Sequence, residues 1–286
     1  MNDERGNSVA QRLLSAMARF FAYAVMILFA LMTIYPIFWL VMNSFKTTRE
    51  FQVSQIGLPR DPTLQNYVEA WKMGDFALLF PNSLIYTVIS TVGIIFLSLM
   101  AGFAFAKLRS RATKPIYSSF IIGILLTTQT LMIPLFLEMN LFGIYNTRLA
   151  VFLVYIGCGL PIGIYFATEY IRSIPSAVVE SARIDGAGFF TIFMKIILPM
   201  SVPVVTTLAI LNIASIWNEF ALINILVSKT ELKSLPLGIY KFSGSLSTDY
   251  GKQFAALTIG MIPMLLFYVA FHKQITKGVA SGAIKG

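Results

Sequence analysis

Six stretches of this chain are apolar over membrane-spanning length: roughly residues 20–42, 82–106, 116–137, 149–168, 199–227 and 253–271. Polar residues collect in the connections between them. A helix needs about 20 apolar residues to cross the hydrocarbon core of a bilayer. Strands are excluded on two grounds. Backbone amides in lipid must be paired within a helix or a closed barrel, and the runs lack the segments of about 10 alternating residues that barrel strands show. The pattern predicts an all-α integral membrane protein with six transmembrane helices, residues 1–286 forming a single transmembrane domain. The first run exceeds the roughly 7–15 apolar residues of a signal peptide and lacks a small-residue cleavage site, so it reads as a retained anchor.

The connections carry patterns of their own. Leu64, Tyr67, Val68 and Trp71 recur at i, i+3, i+4, i+7, which predicts a short amphipathic helix within the loop 43–81. Asp61-Pro62-Thr63 supplies its start, with Thr63 as N-cap. Leu235–Gly244 is rich in turn formers yet apolar enough to pack or dip back toward the membrane. After the fourth run, Ser173-Ile174-Pro175 breaks the chain, because a residue before proline is pushed out of the helical region. Ser176 to Arg183 favours or tolerates helix, with Ser176 as candidate N-cap and Glu180 near the positive end of the helix. Gly186 and Gly188 end it. A second helix follows from about Phe189, and Pro199 and Pro203 mark the start of the fifth span.

Composition agrees with this picture. Apolar residues make up 57% of the chain and charged residues 12%, against about 25% charged in soluble domains. The net charge of +9 does not point to nucleic acid, since the basic residues stand at the ends of apolar runs, where membrane proteins carry them. Thirteen of the 22 fall in the N-terminal tail 1–19, the connection after the second run (Lys107, Arg109, Arg111, Lys114), the loop 169–198 and the tail 272–286. The positive-inside rule places those four segments, and so both termini, in the cytoplasm, and the loop 43–81 outside. Cys158 cannot form an internal disulfide and reads as a buried bystander. No Cys, Asp or second His stands at ligand spacing from His272, so no metal site is expected.

Glu219 is the acidic residue in the middle of an apolar run, where an unpaired charge costs about 2.5–3.5 kcal/mol. Asn212 and Glu219 stand seven residues apart, nearly two helical turns, with Ser215 between them. Together with Asn218, and with Gln129 of the third run, they are candidates for a translocation path; hydrogen-bonded glue between helices is the competing role. Thr127, Thr128, Tyr155 and Tyr165 are weaker candidates. The chain has no phosphate-binding glycine loop, nucleophile elbow or paired catalytic carboxylates, so it reads as a transport subunit and not an enzyme.

The order Glu180-Ser181-Ala182-Arg183-Ile184-Asp185-Gly186-Ala187 through Ile197-Leu198-Pro199 resembles the cytoplasmic coupling loop of ATP-binding-cassette (ABC) importer permeases, with Ser181 where that family commonly has alanine. The likeness is nearly end to end. Tyr35-Pro36, Ser44-Phe45-Lys46, Asn66-Tyr67, Asn82-Ser83-Leu84, Ala101 to Arg109, Trp217-Asn218-Glu219-Phe220 and Gly278 to Gly286 are similar to the smaller permease of carbohydrate importers. The resemblance implies the type I importer permease fold in the bacterial cytoplasmic (inner) membrane. It also implies a second homologous permease, two ATP-binding subunits that bind ATP and Mg, an external solute-binding protein delivering a sugar or oligosaccharide, and no cofactor in this chain. On that expectation Glu180, Ser181, Ala182, Arg183, Ile184, Asp185 and Gly186 contact an ATPase subunit, exposed charges fixing the helix in a groove that its apolar side fills. Gly282 and Lys285 extend the cytoplasmic contact. The rival reading is an ion-coupled secondary transporter with Glu219 as proton carrier, against which stands the lack of an evident inverted repeat.

Overall fold

The computed structural model describes residues 3–108, 110–243 and 249–283, with side chains placed over 14–242 and 249–274 apart from residue 109. Among the described residues every regular element is helical. They are α1 (Asp3–Ser44), α2 (Thr48–Val53), α3 (Gln65–Met73), α4 (Phe76–Lys107), α5 (Thr113–Ile124), α6 (Thr128–Leu141), α7 (Arg148–Ser173), α8 (Ser176–Ile184), α9 (Phe189–Ile192), a π turn (Phe193–Ile197), α10 (Leu198–Met200), α11 (Val202–Trp217), α12 (Ala221–Leu226), α13 (Leu235–Tyr240) and α14 (Tyr250–Ala283), with short 3₁₀ turns at Thr230–Leu232 and Lys241–Ser243. α1 takes in residues 3–19 and α14 continues past 272, so helix extends into both expected tails.

Among the described residues four helices are long and apolar enough to cross a bilayer unbroken, namely α1 over Leu14–Ser44, α4, α7, and α14 over Tyr250–Gln274. The other two expected spans are broken. The run 116–137 bends by 110° between α5 and α6, because Thr127 leaves the helical region and its hydroxyl accepts the Thr130 N–H, starting a new helix. The run 199–227 bends by 74° between Met200 and Val202. Pro203 has no N–H to offer the preceding turn, and a π turn lies just upstream. That run also stops being helical at Trp217.

The described residues fall into two compact units, within 1–70 and 245–259 and within 71–244 and 260–286. In the first, the Asn66 amide donates to the carbonyls of Ser44 and Lys46, both at 2.8 Å. The first is a carbonyl that the end of α1 leaves unpaired, and the second lies two residues beyond it. Lys46 is fully buried, and its amine donates to Ser54 O at 2.8 Å. Trp39, Phe51, Tyr250 and Phe254 cluster beside it. Of the apolar positions expected along one side of α3, Leu64 is 67% exposed and Val68 and Trp71 are exposed as well, while Tyr67 is half-buried with its hydroxyl 2.6 Å from Ser44 Oγ. Asn66 and Ala70 are the buried residues, because the two amide bonds turn that side inward. Thr63 Oγ1 accepts the Gln65 N–H at 3.1 Å from one residue before Leu64, whose carbonyl takes the first helical bonds.

The second unit is organised by close contact between α4 and α7. A Cβ on Gly163 would lie 2.2 Å from Ser98 Oγ, one on Gly102 2.8 Å from Ala167 Cβ, and one on Gly159 2.4 Å from Ile94. Small residues let membrane helices approach this closely. The pairs 94–159, 98–163 and 102–167 advance together, so α4 and α7 run parallel, and α5 with α6 returns the chain between them. α11 runs the opposite way: Val204 and Leu208 share a core with Leu99 and Phe103, while Trp217 at its far end meets Phe80 at 5.7 Å. The C-terminal ends of α4 and α7 therefore lie together, with Lys107 Nζ donating to Ile174 O at 2.5 Å. At the opposite end Arg148 donates to Asn82 Oδ1 at 2.9 Å. Asn82 in turn donates to Glu231 O and Lys233 O, Tyr86 to Leu232 O, and Ser83 Oγ accepts the Leu235 N–H. Residues 231–235 are thus strapped across the start of α4.

Candidate functional site

α8 sits at the Lys107 end, and its sequence divides it cleanly. Val179 and Ala182 are buried in the core that also holds Ile171, Ile192, Phe193, Ile197 and Leu208. Glu180, Ser181, Arg183, Ile184, Asp185 and Gly186 are exposed, Ile184 to 86%. The helix is thus fastened to its own chain by its apolar side, which corrects the expectation that this side is offered to a partner. Ala182 belongs to the buried side and positions the others. Pro175, not Ser176, occupies the N-cap position, and no side chain caps the helix. At the other end Gly186 takes φ +81°. Its N–H bonds Arg183 O at 3.0 Å and the Ala187 N–H bonds Ala182 O at 2.9 Å, a glycine-terminated end that frees α9 to start at Phe189. The Arg183 guanidinium lies 4.8 Å over the Phe189 ring, and Phe189 and Phe190 are exposed. The surface on offer is charged and apolar together.

The polar residues of the fifth span do not form one stripe. Asn212 is buried, its amide donating to Leu208 O at 2.8 Å. Ser215 and Asn218 are exposed, and Asn218 donates to Ala214 O. Because α11 ends at Trp217, the helical register linking Asn212 to Glu219 does not reach Glu219. The Glu219 carboxylate instead accepts the N–H groups of Leu222 and Ile223 at 2.6 and 3.1 Å and the Tyr155 hydroxyl at 2.7 Å. It caps α12 and ties it to α7, and this explains a carboxylate at that depth without a countercharge. Tyr155, buried among Tyr86, Val151, Leu222 and Ile223, is the partner that sequence reasoning had ranked low. A hydroxyl on an apolar run opposite a lone acid is the signal that could have raised it.

Gln129 is exposed in the first turn of α6. Beside it a cavity of about 370 Å³ between α6 and α7 is lined by Thr128, Leu131, Glu138, Val154 and Cys158. Tyr165 is 42% exposed. His272 bonds Val269 O, and no group of metal-ligating residues occurs among the described residues. Lys285 lies outside the described residues, as does Arg109, and Gly282 is described only as helical backbone.

Apolar helices of spanning length, two bent helix pairs and a short exposed helix at one end of the bundle fit a multi-pass membrane protein. The chain belongs to the family described as binding-protein-dependent transport system inner membrane component, whose profile matches residues 94–281. It is a permease subunit of the inner membrane and not an enzyme, in an ABC import system whose ATPase is a separate subunit and which works with a solute-binding protein. It is 34% identical over 88% of its length and 91% of the relative's to a putative ABC transporter permease protein of Caldicellulosiruptor sp. (strain Rt8B.4). It is 32% identical, over 92% of this chain and 88% of the relative, to the diacetylchitobiose uptake system permease protein of Streptomyces coelicolor. The multiple sugar-binding transport system permease protein of Streptococcus mutans is also 32% identical, over 93% of this chain and 97% of its own. In fold the chain is similar to a chain of a bacterial ABC transporter involved in import of the acidic polysaccharide alginate, with TM-score 0.79 over 89% of this chain and 96% of the other, at 22% identity.

Proposed function

We propose that this chain forms half of the translocation path of a sugar or oligosaccharide importer, paired with a second homologous permease above two ATP-binding subunits that bind the ATP and Mg. In this reading it crosses the bilayer six times, each bent pair counting as one crossing, with both termini cytoplasmic. The parallel course of α4 and α7 supports that count, since the chain between them must return. The observation that carries the function is α8: a nine-residue helix anchored by Val179 and Ala182 while Glu180, Ser181, Arg183, Ile184 and Asp185 face out, at the end where Lys107 and Arg172 gather. ATP-driven movement of a subunit gripping that face is passed to the shared core and so to α7 and α11. Asn212, Ser215, Asn218, Glu219 and Gln129 remain the candidates along the path, with Glu219 acting through the placement of α12. The sugar class rests on the names of the relatives.

The test is a cysteine at Ile184 in a Cys158→Ser background, cross-linked in native membranes. A product containing an ATP-binding subunit, lost in Glu180→Lys together with uptake of labelled oligosaccharide, supports the reading. A cross-linkable, normally inserted Glu180→Lys chain with full uptake refutes it.

A further inference from the structure

A second feature of the Lys107 end is a groove of about 1350 Å³ between the α4–α5 connection and α8. Its lining carries five cations, Lys107, Arg111, Lys114, Arg172 and Arg183, against one carboxylate, Glu180. Three of the five are held in place: Lys107 on Ile174 O, Arg172 by Glu169 at 2.6 Å and over the Tyr117 ring at 5.0 Å, and Arg183 over Phe189. Arg111 and Lys114 are exposed and join no ion pair among the described residues. Phe105, Val179 and Phe189 supply apolar wall.

We propose that this groove binds the phosphodiester headgroup of an anionic phospholipid from the leaflet that this end of the bundle faces. Two observations favour a lipid over an acidic stretch of a partner protein. Lys107 closes the span-length helix α4, and Arg172 is the penultimate residue of α7, so the cations stand where apolar helix gives way to water, the level of headgroups. Cations above an apolar wall match an amphiphile with an anionic head, and basic pockets between spans at this depth take such heads. Of the outward residues of α8, Ser181, Ile184 and Asp185 do not line the groove while Glu180 and Arg183 do, so a docked subunit and the lipid meet along one edge of the helix. The positive end of the 12-residue α5, which starts at Thr113 on the lining, adds to the same field.

The experiment isolates the transporter with whatever subunits accompany it, exchanges it into nanodiscs of phosphatidylcholine with a minor share of phosphatidylglycerol, and counts retained lipids by native mass spectrometry. Wild type is expected to retain phosphatidylglycerol selectively. Arg111→Ala/Lys114→Ala should weaken that retention roughly 25-fold, about fivefold per basic residue at a membrane surface, whereas Arg111→Lys/Lys114→Arg should keep it. Both variants touch exposed side chains, and an unchanged melting temperature checks that the fold is intact. Equal retention of the two lipids by wild type, or undiminished selectivity in the alanine variant, overturns the proposal. So does loss of the ATPase subunit from the alanine variant with no selective lipid in wild type, which would make the groove a protein contact.

Discussion

Replacing Gly186 by alanine probes the loop that holds α8 out, and the structure sets the magnitude. Gly186 is at φ +81°, and a Cβ built on it meets nothing within 4 Å. The cost is therefore backbone strain alone, about 1–2 kcal/mol for an L-residue in the left-handed region. A loop that relaxes out of that region loses the two bonds from Gly186 N–H and Ala187 N–H. At about 1.4 kcal/mol per factor of ten, the population of correctly bent loop falls roughly 5- to 30-fold relative to its alternatives. Gly188 is the control: its φ is −70° and its Cβ would also meet open space, so alanine fits there without strain. The assay is co-purification of the ATPase subunit together with solute uptake, in cells where membrane insertion is checked by blotting. Gly186→Ala should lower both several-fold with insertion unchanged, Gly186→Asn should lie between, because asparagine tolerates this conformation, and Gly188→Ala should match wild type. Equal behaviour of Gly186→Ala and Gly188→Ala would refute the assignment of the bend to Gly186.

Gly163→Val should lower the melting temperature of the detergent-solubilised protein by an overpacking cost of about 1–3 kcal/mol, since even a Cβ would fall 2.2 Å from Ser98 Oγ; an unchanged melting temperature would show that α4 and α7 are not packed as described. Glu219→Gln sets an amide N–H against one of three donors and should cost about 1–3 kcal/mol, Tyr155→Phe about 1 kcal/mol, and the double variant less than their sum; abolished uptake at full stability would instead point to proton chemistry at Glu219. The hydrogen bonds of Lys252 and Gln65 hold the Glu69 carboxyl below the usual range, and although burial pushes Asp249 up, bonds from Thr48 and Lys252 outweigh it and hold that carboxyl low as well. Lowered carboxyls stabilise the fold above their ordinary range and lose that contribution as pH falls through it and below, so the melting temperature should decline on acidification, and Lys252→Met should flatten the decline; an identical acid profile in the variant would remove this cluster as the cause. Pro203→Ala restores a donor for the Pro199 carbonyl and should straighten the bend before α11, keeping or raising stability while lowering uptake; unchanged uptake would remove the bend from the mechanism.

Much of this was legible in the sequence because single residues enforced it. Gly186 and Pro175 bound α8 within a residue of where the pattern put its ends, and the small residues of α4 and α7 stand inside runs long enough to be read as spans. What escaped were features set by pairs of elements. A run of apolar residues reports burial in lipid or protein and says nothing of a bend, so the Thr127 cap stayed hidden inside a run of spanning length, whereas the break at Ser201 falls between Pro199 and Pro203, where the sequence places the start of the fifth span. The side of α3 that the chain buries is set by the two amide bonds of Asn66, which the hydrophobic periodicity of Leu64, Val68 and Trp71 does not report. Glu219 was visible as an anomaly, but its role depended on where α11 stops, and Trp217-Asn218 carries no proline or glycine to announce it.

The same geometry shows where the bundle can give. α4 and α7 are joined by glycine-lined contacts with no room for a methyl group, and close-packed interiors shift between discrete arrangements more readily than they stretch. α8 enters the core of that pair through Val179 and Ala182, and the core also holds Ile192, Phe193 and Ile197 next to Val204 and Leu208. A displacement of α8 therefore reaches the first half of α11 as a rigid push. The far half of α11 is pinned separately, with Trp217 Nε1 donating to Gly260 O at 3.3 Å and Glu219 capping α12. Along the chain between α8 and α11 the hydrogen-bond ladder is already interrupted, by the π turn and by the bend at Ser201. The stretch that lacks ladder bonds yields before the unbroken α11 does, which is why Pro203, next to Val204 in the core that α8 enters, is the position where stability and transport should part.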